Sequence, residues 1–300
     1  MPRPTAKPVA RQRFKLSLSG RRALWGFILL TPWFAGMAIF ALGPFVQSFV
    51  ISLSEVDLIR GFNLRFVGLA NYREAFVVDQ RFVPLLLRTI ADSVINVPII
   101  LVFSLVAAFL INQRIRGLGF YRAVFFLPVV VVSGIVVEQL FNQDIANTMY
   151  SGIIPIVLMV FRYFGNQVAT MVANFLSTIL MVLWRSGVQI LLFLAGLQGI
   201  SCTYYEAARV DGATDWEVFW LVTLPMLTPI ILVNIIYTIV DSFTDVFNEM
   251  LFFIKDVGFS GSFRLGYAAA LGWIYFLMIF IIIAIVTLSS RRWVFYGGER

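Results

Sequence analysis

Tyr204-Tyr205-Glu206-Ala207-Ala208-Arg209-Val210-Asp211-Gly212-Ala213-Thr214-Asp215-Trp216-Glu217-Val218-Phe219-Trp220-Leu221-Val222-Thr223-Leu224-Pro225 is a polar stretch set between two long apolar runs. Its first part reads as a helix, because Glu206 to Arg209 are good helix formers and Gly212 offers a break after Asp211. A second helical segment follows, capped by Thr214 or Asp215, with Trp216, Phe219 and Trp220 on one side. Pro225 and Pro229 are expected to limit it. From physics alone, this is an amphipathic elbow at the membrane interface joining two spans.

Outward from the elbow, the chain is apolar. Of 300 residues, 60% are hydrophobic, 16% aromatic and only 13% charged, and the mean hydropathy is +0.89. These values lie far outside the soluble range and identify an all-α integral membrane protein. Six stretches are long enough to cross ~30 Å of hydrocarbon: 23–53, 89–112, 123–142, 170–200, 229–254 and 268–290. Pro32 and Gly43-Pro44 are expected to bend the first. The piece 151–161 is too short to span and contains Pro155, which suits an external interfacial or re-entrant segment. The domain plan is a basic tail over 1–22, one transmembrane domain over 23–295 with its loop at 201–228, and a short tail over 296–300.

The basic residues set the expected orientation. With the N-terminus inside, inner segments carry fourteen Lys and Arg against eight in outer segments, and Arg185 lies within a span. Both termini are therefore predicted to be cytoplasmic. The net charge of +7 follows this topology rather than a nucleic-acid surface. The segment 201–228 is the exception, with Arg209 set against Glu206, Asp211, Asp215 and Glu217. Acids contribute little to sorting, so an acidic inner loop points to a protein partner. On the other side, the loop 55–88 is expected to be ordered by Phe62, Phe66 and Tyr72 at the interface.

Several chemistries are excluded. There is no histidine, so the commonest general base and zinc ligand are missing, and the single Cys202 forms no intrachain disulfide. Gly258-Phe259-Ser260-Gly261 resembles the serine motif of rhomboid-type proteases, but a serine nucleophile of that kind needs a histidine. No phosphate-binding Gly-x4-Gly-Lys-Ser/Thr is present, so any ATP is hydrolysed by another polypeptide.

Glu206-Ala207-Ala208, three residues, Gly212, nine residues, Val222, one residue, Leu224-Pro225 resembles the coupling loop of permease subunits in binding-protein-dependent ABC importers. Phe66-Val67-Gly68-Leu69-Ala70-Asn71-Tyr72, Arg122 with Leu127-Pro128, and Asp241-Ser242-Phe243-Thr244-Asp245-Val246-Phe247-Asn248 are similar to stretches of the carbohydrate-uptake branch. That branch usually carries Gly-Gly-Pro after the fifth span, where this chain has Val257-Gly258-Phe259-Ser260-Gly261. The resemblance implies the type I permease fold of six transmembrane helices, multi-pass in a bacterial-type plasma (inner) membrane. It implies as partners a homologous second permease subunit, two ATP-binding subunits and an extracytoplasmic solute-binding protein, with no cofactor on this chain and ATP and magnesium on a partner. Glu206, Ala207, Ala208, Arg209, Asp211, Gly212, Leu224 and Pro225 would form the contact to the ATPase.

Charges inside the spans need water or protein around them, because an ionised Asp at mid-span costs about 2.5–3.5 kcal/mol against lipid. On a continuous helix, Asn234, Asp241, Asp245 and Asn248 fall on one face with Tyr237 and Glu249 beside them. This stripe reads in two ways. It is a wall of a solute path, in which carboxylates and amides accept bonds from sugar hydroxyls and Tyr237 or Phe247 stacks on a sugar ring. Alternatively it is helix–helix glue, with Arg185 paired to Asp241 or Asp245. Asp92, Asn96, Glu138 and Gln139 are weaker candidates near span ends. The remaining rival to the importer reading is an ion-coupled secondary transporter, which would use the same mid-membrane acids but has no need of the elbow.

Overall fold

The computed structural model describes residues 18–57, 63–112, 162–172, 182, 185–245, 248–260 and 263–295. The expected third span, the 151–161 piece and most of the fourth span, with Glu138, Gln139 and Phe247, lie outside them.

The first helix begins as α1 (Leu18–Met37), widens through a π-turn at Ala38–Leu42 and continues as α2 (Gly43–Ser52). A short antiparallel hairpin follows, β1 (Ser54–Asp57) with β2 (Asn63–Phe66), and then α3 (Ala70–Arg73) and a π-turn. α4 (Phe82–Asn112) is the longest α-helix among the described residues. In the second half, α5 (Gly187–Gly199) bends by 62° into α6 (Cys202–Val210). α7 (Asp215–Val218) runs through a π-turn into α8 (Leu224–Thr244), and α9 (Glu249–Lys255) and α10 (Leu265–Ser290) complete the chain. Among the described residues, four helices are long and apolar enough to cross a membrane, or five if the bent α5–α6 pair is one span.

The fifth apolar run is displaced from its sequence reading. The helix covers Asp215–Thr244 instead of 229–254, so the prolines do not stop it. A proline at 229 leaves the Pro225 carbonyl without its usual amide donor, and the Thr228 hydroxyl donates to that carbonyl at 2.7 Å instead. The other end stops earlier because Asp245 leaves helical geometry, at ψ 140°.

Two apolar clusters hold the bundle. One joins α4, α8, α9 and α10 around Phe82, Phe243, Met250 and Leu271; the other joins α4, α5 and α8 around Ala108, Phe193 and Leu227. α4 and α8 are antiparallel, tied by Ser93 Oγ and Ser242 Oγ at 3.2 Å. The hairpin therefore lies at one end and the α5–α6 elbow at the other. The C-terminal segment returns to the elbow end, where the Phe295 amide donates to Thr228 Oγ1 at 2.9 Å.

The hairpin end is ordered by polar contacts, while Phe66 is exposed and free to meet the interface. Gly68 takes φ +62°, which turns the chain so that Asn71 Nδ2 donates to the carbonyls of Ser52 and Ser54 at 2.9 and 3.1 Å. The Tyr72 hydroxyl meets Ser52 Oγ at 2.7 Å. Thus Gly68, Asn71 and Tyr72 finish the end of α2, whose last carbonyls have no intrahelical donor. Gly266 seals the same corner, because a Cβ there would sit 2.0 Å from the Ser54 carbonyl oxygen. Arg264 bridges both carboxylate oxygens of Glu74 at 2.7 and 2.6 Å. Asp79 is pushed up by partial burial, but bonds from the Tyr267 hydroxyl and the amides of Arg81 and Phe82 outweigh this and hold its carboxyl below the usual range.

The first helix stands apart. From Trp25 to Ser52 it is apolar enough to span a membrane, yet no part of its most apolar stretch is buried in the chain. Among the described residues its end meets the bundle, where Trp273 of α10 packs between Phe45 and Phe49.

Candidate functional site

The elbow owes its shape to two adjacent caps. α6 starts at Ser201, whose hydroxyl accepts from the Thr203 amide. It ends in a left-handed glycine: Gly212 has φ +81°, its amide donates to the Arg209 carbonyl, and the Ala213 amide reaches back to the Ala208 carbonyl at 3.0 Å. This is the six-to-one and five-to-two pair of a Schellman cap. It gives a physical reason for the fixed spacing from Ala208 to Gly212. Two residues on, Thr214 starts α7 with a reciprocal capping box, its hydroxyl accepting from the Glu217 amide while the Glu217 carboxylate accepts from the Thr214 amide. The turn between the helices is consequently short and determinate.

α6 is held to the rest of the chain by little. It has no buried residue, and Val210 is 87% exposed. Glu206, Ala207, Arg209, Asp211 and Gly212 are all exposed, and Ala208 is half-buried. Arg209 approaches Asp215 at 3.9 Å, a contact too exposed to matter much. Tyr205 is the inward link, with its hydroxyl 3.4 Å from that of Thr223. Below the elbow, Trp216, Phe219 and Trp220 form an aromatic cluster that meets Phe109 of α4. Leu224 and Pro225 open α8 behind the π-turn. α6 is therefore a small rigid body on a stiff mount, because Gly196 of α5 lies so close to α8 that a Cβ would come within 3.0 Å of Leu227 and Ile230.

The polar residues of the fifth span are arranged differently from a single stripe. Asn234 is fully buried and donates to the backbone carbonyl of Gln189 at 3.0 Å, tying α8 to α5. Asp241 is half-buried and Tyr237 exposed, both on α8. Asp245 lies past the end of the helix and pairs with Arg185, the two side chains being 13% and 12% exposed. Asn248 begins α9 and is turned inward. Its Nδ2 donates to the Tyr275 hydroxyl at 2.9 Å and approaches the carbonyls of Ser242 and Phe243, while its Oδ1 accepts from the Met250 amide. The Tyr275 hydroxyl donates to the Phe243 carbonyl at 2.9 Å. Asn248 and Tyr275 thus satisfy the free carbonyls at the end of α8. The wheel that put Asn248 beside Asp241 assumed a helix that the chain breaks at Asp245.

Other polar groups were visible in the sequence only as span-end charges. Arg88 reaches Glu249 at 3.2 Å and Asp92 at 3.9 Å, all three well exposed, on the same broken end of the bundle. Gln189 and Ser104 are fully buried, and among the described residues Gln189 Nε2 and Oε1, Ser104 Oγ and Asn234 Oδ1 have no partner. Nothing in the local sequence marks Gln189, because its setting is made by two other helices.

Residues 75–296 match the family described as binding-protein-dependent transport system inner membrane component. The chain belongs to that family. This makes it a permease subunit rather than an enzyme, and the elbow lies inside the matched region. A probable ABC transporter permease protein, YesP of Bacillus subtilis, is 28% identical over 92% of this chain and 93% of its own length. The lactose transport system permease protein LacF of Rhizobium radiobacter is 30% identical, with 78% of this chain and 77% of that protein covered. The fold matches a chain in the crystal structure of a bacterial ABC transporter involved in the import of the acidic polysaccharide alginate, with a TM-score of 0.64 at 18% identity over 91% of this permease and 96% of that chain. No ion-coupled transporter stands among these relatives, and the permease fold accounts for the elbow that a secondary transporter leaves unused.

Proposed function

We propose that this permease forms half of the membrane pathway of an ATP-driven importer for a sugar or oligosaccharide in a bacterial inner membrane. It pairs with a homologous second permease and seats two ATP-binding subunits through α6, while an extracytoplasmic solute-binding protein delivers solute at the hairpin end. The chain crosses six times with both termini cytoplasmic. The sugar assignment draws support from the lactose permease among its relatives. The orientation draws support from the basic tail and from the C-terminal segment's return to the elbow end.

The observation that carries the coupling role is an exposed helix, separately capped at both ends and bent by 62° from the span before it. Such an element has no fully buried residue and is shaped for a partner. Closure of the ATP-binding subunits would push α6, and the tight Gly196 contact would pass that push to α8 as a rigid-body movement. Asp241 and Tyr237, next to the Arg185–Asp245 pair, then line the path that opens to each side in turn. The uncovered first helix offers its apolar surface to the second permease.

Affinity purification of this chain from its native membrane tests the assembly. The expected result is co-purification of a second permease and a protein with ATPase activity. A chain that purifies alone and moves solute in liposomes without ATP contradicts it.

A further inference from the structure

Among the described residues, the charges around the break in the fifth span do not balance. Arg185 is matched by Asp245 and Arg88 by Glu249, with Asp92 also beside Arg88. Asp241 has no ion pair or hydrogen bond among the described residues. It shares a face of α8 with Tyr237 and Thr244, both exposed. Among the described residues, two cations therefore stand against four carboxylates, and each cation already has a carboxylate partner.

Position makes this imbalance matter. Backbone leaves the helix at Asp245, and irregular backbone within a span is tolerated only against protein or a water-filled cavity. Where this face lines a water-filled path, low-dielectric walls focus its net negative field into that path. We propose that this face selects by charge: it passes uncharged or cationic solutes and turns away uronates and phosphorylated sugars, with Asp241 as the specificity-determining residue. The inference rests on the reading that this face lines the path, and it sets the chain apart from the importer of an acidic polysaccharide that shares its fold.

Charge selection is measurable without knowing the solute. Cys202 is the only cysteine, so Cys202→Ser with Thr244→Cys places one thiol about 6 Å from residue 241 on the helix surface. The assembled transporter in proteoliposomes is exposed to two methanethiosulfonates of similar size, one bearing trimethylammonium and one bearing sulfonate. A negative field also raises the thiol pKa, but that slows both reagents equally and cancels in their ratio. The expected ratio of cationic to anionic rates is about tenfold or more above that for a free thiol in water. Asp241→Asn should lower the ratio by about threefold, and Asp92→Asn, at an exposed site that tolerates change, should lower it by less. A ratio equal to or below the free-thiol value overturns charge selection. If neither reagent reacts while the unfolded chain does, the face is sealed from water and the inference fails, even where the ATPase and second permease co-purify.

Discussion

Gly212→Val uncouples the transporter while leaving it assembled. A β-branched residue at φ +81° is strained by about 1–3 kcal/mol. The elbow escapes that strain by giving up the amide bonds to Ala208 and Arg209 that fix α6 against α7. Because α6 has no buried residue, the spans keep their packing and the chain still inserts. A bias of about 1–3 kcal/mol against the competent elbow is a loss of roughly 5- to 150-fold in coupling. Binding-protein-stimulated ATP hydrolysis and solute uptake in proteoliposomes should both fall by such a factor. Gly212→Asn, which tolerates the left-handed region, should retain most activity. Equal activity in the valine variant would show that the turn geometry is not part of coupling.

The second large effect is on stability. Arg185→Leu removes a cation paired with the Asp245 carboxylate, which is 13% exposed, and breaking a buried pair on one side costs about 3–5 kcal/mol. Thermal unfolding of the purified chain in detergent should move accordingly. The double variant Arg185→Leu with Asp245→Leu should recover most of the loss, because no lone charge remains to be desolvated. If the single variant is as stable as the parent, the pair is water-filled in the membrane, and its contribution drops to that of a surface contact.

These two sites differ in how far sequence alone reaches them. The elbow is local: Ala208, Gly212, Thr214 and Glu217 meet partners within five residues, so the caps follow from spacing. Hydropathy placed the second, first and last described helices well, since each is a continuous apolar run. It set the start of the fifth near 229, although the helix begins at Asp215 with acids in its first turn, where they are favourable. It also took two prolines as stops where a threonine hydroxyl stands in for the missing donor. The polar face was the least legible. Periodicity carries a helix through Asp245, and the break is fixed by Tyr275, 27 residues beyond Asn248. Of the two readings of the fifth-span charges, the Arg185–Asp245 pair is present, and Asp241 and Tyr237 stay on an open face beside it. The hairpin motif also works through Asn71 and Gly68, because the carbonyls it completes belong to the end of α2 and the start of β1.

The central claim is that α6 is where an ATP-binding subunit sits, and the native thiol at its first residue tests this directly. Cys202 is exposed at the start of α6, so a thiol-to-amine cross-linker can be attached there in membrane vesicles without any substitution. The account predicts a cross-link to the ATP-binding subunit, with labelling by a membrane-impermeant maleimide only in inside-out vesicles. Labelling from the outside of intact cells, or a cross-link yield unchanged when the ATP-binding subunit is deleted, would contradict it.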